Sequence, residues 1–129
     1  MRKSKILIAG LEETLGAELS QILTGLQCSV VSQPYVSAAA CLEVVDRIAA
    51  EAVFCTAEGN APEELLKLLR LNRRQIPVMV VSRLPELDKW LDALDAGATD
   101  YCAPPFEPRL MRSLLENALQ YPRPLSMAC

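Results

Sequence analysis

The 129-residue sequence contains no histidine, so no imidazole is at hand to serve as a general base for a hydroxyl nucleophile. It also lacks a surplus of positive charge. Thirteen Lys and Arg stand against sixteen Asp and Glu, for a formal net charge of -3 and a pI near 5.0. Nucleic-acid phosphates are held by clustered cations, so no direct nucleic-acid partner is expected. No apolar run approaches the length that spans a bilayer, and the apolar part of residues 1–8 is too short for a secretory signal. The expectation is a cytoplasmic chain without membrane contact. Its five cysteines, Cys28, Cys41, Cys55, Cys102 and Cys129, are odd in number and scattered, with no C-x-x-C pair. That pattern excludes a zinc or redox dithiol motif and predicts reduced thiols used mainly as core filler. Cys55 lacks the neighbouring cation that would make it a thiolate nucleophile. Gly59 and Asn60 form a turn, because the further glycines and the lysine of a phosphate loop are missing.

What the chain does have is apolar material, 51% of its residues, enough for the core of one domain. Short continuous apolar runs alternate with longer amphipathic stretches, as in strands covered on both faces and separated by crossover helices. Strands are expected at 5–9, 28–32, 52–56, 77–82 and 100–103. Helical stripes follow at Leu15, Leu19, Ile22, Leu23 and Leu26, then at Leu42, Val45, Ile48 and Ala49. A third helix opens near Pro62 with Glu63 and Glu64 at its positive end and is anchored by Leu65, Leu68 and Leu69. Arg73 and Arg74 suit its negative end better than they suit a phosphate site. The fourth opens at Pro85, carries Leu87, Leu91 and Leu94 with Trp90 beside them, and stops at Gly97. The last runs from Glu107 to about Gln120 with Leu110, Met111, Leu114, Leu115 and Ala118 on one side, ended by Pro122 and Pro124. One domain over 1–121 and a flexible tail over 122–129 are expected, with no internal repeat or linker.

Residues 76–106 carry the most specific pattern: the strand IPVMVVS, a helix, then DALDAGATDYCAPPF. Ser82, Gly97, Ala98, Asp100, Tyr101, Pro105 and Phe106 stand in the frame of a strand ending in Thr or Ser, a Gly-Ala-x-Asp-Tyr segment and a Lys-Pro-Phe turn. This closely resembles the end of a bacterial two-component response-regulator receiver domain, and the resemblance extends over about 5–120. It implies a flavodoxin-like, doubly wound (βα)5 α/β sandwich whose parallel five-stranded sheet has the order 2-1-3-4-5. A ligand crevice then lies at the carboxyl ends of the first and third strands.

The same resemblance separates frame from chemistry. Receivers hold Mg²⁺ with an acidic pair after the first strand and an aspartate ending the third, and that aspartate accepts a phosphoryl group. In KILIAGLEE, Gly10 and Leu11 fall at the acidic pair, with Glu12 next. A register shifted by two would bring Glu12 and Glu13 there but moves Leu19, Leu23 and Val30 out of the family spacing. Thr56 takes the place of the acceptor aspartate, Glu58 lies beyond it as a loop acid, and Pro104 replaces the phosphate-pairing lysine. Ser82 and Tyr101 match the hydroxyl and aromatic that couple phosphate to shape, although strand-end capping and half-buried packing explain both equally. A cis bond is expected between Pro104 and Pro105.

The degenerate pocket of Gly10, Leu11, Glu12, Thr56, Ser82, Tyr101, Pro104 and Pro105 therefore predicts no enzyme activity, no cofactor and no metal. The expected role is an interaction module for a protein partner or output domain. A homodimer is expected through the fourth helix, fifth strand and fifth helix, using Lys89, Trp90, Asp92, Ala93, Arg109, Arg112 and Glu116. Two alternatives stay open. Thr56 or a nearby carboxylate accepts phosphate with a metal held by Glu12 or Glu13 and Asp100, or the uncharged crevice around Gly10, Leu11 and Thr56 admits a small molecule. The same pattern also fits a receiver cut from a longer regulator.

Overall fold

Five strands and five helices alternate along the chain. They are β1 (Ser4–Ala9), α1 (Glu13–Gly25), β2 (Cys28–Gln33), α2 (Ala38–Ile48), β3 (Ala52–Thr56), α3 (Ala61–Leu71), β4 (Val78–Val81), α4 (Leu87–Asp95), β5 (Asp100–Cys102) and α5 (Pro108–Gln120). The structure is a computed structural model that describes residues 3–84 and 86–120. The expected start of α4 at Pro85, the prolines after α5, Cys129 and the 122–129 tail lie outside the described residues.

All strand pairs are parallel, in the order β2-β1-β3-β4-β5, as the element pattern and the resemblance imply. Because side chains alternate across a strand, each run splits between two cores. Leu7, Ala9, Val53, Cys55, Val78 and Val80 face α2, α3 and α4. Ile6, Ile8, Ala52, Phe54, Met79 and Val81 face α1 and α5. Phe54, Ile6, Leu7 and Ile8 are fully buried, each contributing about 1.5–3 kcal/mol of hydrophobic stabilisation.

Helix ends show how local chemistry sets the loops. Ser37 caps α2 by accepting the Ala40 N–H at 3.1 Å. In α4, the Ala98 N–H donates to the Ala93 carbonyl and the Gly97 N–H to the Leu94 carbonyl, both at 3.0 Å, with Gly97 at φ +109. That is a Schellman ending, in which glycine takes the left-handed position without strain.

At the end of α2 the corresponding left-handed residue is Ala49, φ +54, with the Ala50 N–H bonded to the Val45 carbonyl at 2.9 Å. Ala49 is thus an exposed terminator and not part of the apolar stripe, which is centred on Cys41, Val44 and Val45. Ala49→Gly is expected to raise stability by about 0.5–1 kcal/mol by removing the Cβ penalty; an unchanged or lower denaturant midpoint would contradict this.

The fourth helix departs most from its pattern. Leu87 and Leu91, expected to seat on the core, are 64% and 51% exposed, and only Ala93 is buried. At the end of α3, the Arg74 guanidinium makes two bonds to the Asp46 carboxylate, at 2.8 and 3.1 Å. The bonds from Arg74 hold the Asp46 carboxyl below its ordinary range.

Candidate functional site

The chain winds to opposite sides of β1, toward β2 and toward β3. Such a reversal leaves a crevice beyond the carboxyl ends of the strands. Here it is an open cleft of about 800 Å³, with Gly10, Leu11, Tyr35, Thr56, Glu58 and Glu64 among its walls. Gly10 directly follows β1 at φ +82, pinned by its N–H to the Gln33 carbonyl at 2.8 Å. A Cβ there would lie 2.7 Å from the Tyr35 Cβ and 2.9 Å from the Thr56 Cγ2. The Tyr35 hydroxyl donates to Glu64 Oε1 at 3.0 Å and ties the β2–α2 loop to α3. Burial and the adjacent Glu64 carboxylate push the Tyr35 phenol well above its ordinary range.

Thr56 ends β3 with 7% exposure. Its Oγ1 accepts the Glu58 N–H at 3.1 Å, so the hydroxyl serves as a turn cap. Leu11 packs partly against the core below α1. Glu12 is the N-cap of α1: its two carboxylate oxygens accept the Leu15 N–H at 3.2 Å and the Thr14 N–H at 3.3 Å. Glu12 also pairs with Arg83, from the loop after β4. Both partners are half-exposed, so the pair contributes at most about 1 kcal/mol, but it engages the carboxylate that directly follows Leu11, while Glu13, Glu58 and Glu64 line the cleft itself. Nothing in the sequence pattern pointed to Arg83.

The metal arrangement through Asp100 is not assembled. Asp100 opens the edge strand β5, two strands beyond β3, and its carboxylate accepts the Tyr101 N–H at 2.8 Å. Among the described residues no three His, Cys, Asp or Glu side chains gather as metal ligands. Burial pushes the Cys55 thiol up to about 12, which keeps it protonated beside Thr56. Beyond β5, the Pro104–Pro105 bond is cis, as expected, and neither proline offers a donor to an anion.

Ser82 Oγ donates to the Leu84 carbonyl at 3.0 Å, within its own loop. Tyr101 packs against Trp90 with ring centroids 6.3 Å apart and planes 37° apart. Its hydroxyl is buried and has no hydrogen-bond partner among the described residues.

Of the residues expected on an interaction surface, Lys89, Trp90, Asp92, Arg109, Arg112 and Glu116 are exposed. Ala93 is not: at 2% exposure it is the residue that seats α4 on the core. The apolar part of that surface comes from Leu87, Leu91 and Leu110, which the periodicity assigned to the interior and which are 64%, 51% and 66% exposed, together with Leu84 in the loop after β4, 74% exposed.

The fold is that of response-regulator receiver domains. The chain is similar to a structure from Chloroflexus aurantiacus assigned as a response regulator (TM-score 0.77, 22% identity, covering 93% of this chain and 100% of that one). It is also similar to the chemotaxis response regulator CheY4 of Vibrio cholerae (0.73, 16%, 92% and 100%) and to NtrX from Brucella abortus (0.76, 19%, 92% and 27%). No family model and no curated protein sequence matches the chain. No helix among the described residues is long and apolar enough to cross a membrane.

Proposed function

We propose that this chain is a receiver-type domain of two-component signalling that has lost phosphoryl chemistry and works by binding a protein partner or output domain. The observation that carries this reading is Thr56, a buried turn-capping hydroxyl where a receiver needs a nucleophilic carboxylate. The surroundings agree with it. Gly10 has no room for a side chain, Leu11 is apolar, Glu12 is committed to α1 and Arg83, and Pro104 carries no amine. Among the described residues a phosphoryl group would meet no assembled set of three metal ligands and, at Pro104, no lysine to clamp its charge.

Its partner surface is the edge formed by α4, β5 and α5. Of the seven large hydrophobic residues that are exposed among the described residues, four lie at 84–91 and a fifth is Leu110 on α5. Exposed apolar side chains gathered in this way mark an interaction site. Asp88, Asp92 and Asp95 on α4 and Arg109 and Arg112 on α5 give the edge charges of both signs. A two-fold arrangement can therefore set acid against base, which favours a homodimer. A cytoplasmic location belongs to the same reading.

Intact mass after incubation with a small phosphodonor and Mg²⁺ tests the first part. No added phosphoryl group is expected on the parent or on Thr56→Asp, because the acidic pair and the lysine are missing from both. A stoichiometric phosphoryl adduct on the parent would defeat the reading and leave Thr56 or a nearby carboxylate as acceptor.

A further inference from the structure

The sheet ends in two unlike strands. On one side β5 is three residues long and opens with Asp100, the short, charged kind of edge that resists further pairing. On the other side β2 runs for six residues, CSVVSQ, with no charge, no proline and an unbroken register on β1. Among the described residues no strand covers its outer side. One bond fixes the direction of its backbone groups. The Gln33 carbonyl accepts the Gly10 N–H at 2.8 Å, so Gln33 turns its N–H and C=O toward β1, and by alternation so do Val31 and Ser29. Cys28, Val30 and Ser32 therefore aim theirs outward, beyond the sheet. Pro34, next in that outward series, has no N–H and closes it.

A row of alternating donors and acceptors at strand spacing is matched by another extended backbone and by little else. We propose that the occupant is β2 of a second copy of this chain, paired antiparallel across a two-fold axis perpendicular to the sheet. Side chains opposite one another in such a pair lie on the same face. With the axis at Val30, Val30 meets the partner's Val30, and Cys28 meets the partner's Ser32. Every outward residue of one strand then faces an outward residue of the other, and both strands stop at the same proline. The chain as a whole carries a net charge of -3, yet β2 carries none, so the pairing opposes no like charges along the strand. Val30 also packs partly on the core beneath α1, and β-branched residues suit a paired strand. The product is one continuous sheet through both copies, with the edge formed by α4, β5 and α5 left free at each far end. The pairing does not rest on the role proposed for that edge.

Sedimentation velocity of the intact chain across a concentration series, with residue-resolved amide hydrogen exchange at each concentration, tests it. Self-association is expected, with exchange at Val30 and Ser32 slowing as concentration rises. Val31, already bonded to β1, should change less. Ser32→Pro removes an outward donor and spares the β1 ladder, and should weaken association by about tenfold or more. Ser29→Lys places a charge on an exposed side chain of the edge strand and should act in the same direction; thermal unfolding checks that each variant is folded. Loss of association in a folded variant supports the pairing. A parent monomeric at every concentration would overturn it. So would self-association that leaves Val30 exchange unchanged and survives both substitutions, which would place the contact elsewhere on the chain. The phosphodonor experiment is independent of either result.

Discussion

Gly10→Asp, the substitution that would appear to restore an acidic residue after β1, is expected to destabilise the fold by roughly 3 kcal/mol or more. Two costs combine: a non-glycine residue held in the left-handed region costs about 1–2 kcal/mol, and overpacking a filled site costs about 1–3 kcal/mol. The clash is with Cβ and Cγ2 atoms at 2.7 and 2.9 Å, close to the backbone of Tyr35 and Thr56, so no flexible side-chain end can swing aside. Tyr35 is further held by its bond to Glu64. Denaturant unfolding of the variant with and without Mg²⁺ measures the effect, and Gly25→Ala, where an added Cβ meets nothing within 4 Å, is the control. A Gly10→Asp protein as stable as the parent, or one stabilised by Mg²⁺, would show that the pocket can still accept a carboxylate and its metal. The expected result would place the loss of phosphoryl chemistry in the backbone as well as in the side chains.

That distinction marks where the sequence was readable. Strand positions were legible because a covered parallel strand must be apolar along its whole length, and 52–56 was delimited to the residue. The cis turn at Pro104–Pro105 and the glycine ending of α4 were legible because few residue types tolerate those conformations. The polar side of the pocket was less so. Thr56 could be placed at the end of β3, but its use as a turn cap depends on the path of residues 57–60. The pairing of Glu12 with Arg83 joins loops 71 positions apart in sequence, with no periodic signal connecting them. Helix α4 misleads for a physical reason. Leu87, Leu91 and Leu94 have the spacing of a core-facing stripe, and periodicity records that a face is apolar without saying what covers it. In this chain small Ala93 meets the sheet, Leu94 is half-buried, and Leu87 and Leu91 point outward.

That outward face leads to the second large effect. If α4, β5 and α5 form a homodimer, Leu87→Ser combined with Leu91→Ser is expected to weaken association by about 30-fold or more, corresponding to about 2 kcal/mol lost from an interface centre. Trp90→Ala should weaken it comparably, since tryptophan is among the residues that most often dominate interfaces. The leucine pair is the cleaner probe. Both side chains are more than half exposed, so their replacement should change monomer stability by no more than about 0.5 kcal/mol each. Trp90, only 40% exposed and packed on Tyr101, carries a folding cost as well. Sedimentation velocity across a concentration series would read the self-association, and thermal unfolding the folding cost. A parent that stays monomeric at every concentration would eliminate the homodimer and direct the edge to a different protein. A parent dimer unaffected by the leucine pair would move the contact away from α4. Selective loss of association in a stably folded double variant would instead connect an apolar stripe left uncovered by its own domain to the partner that covers it.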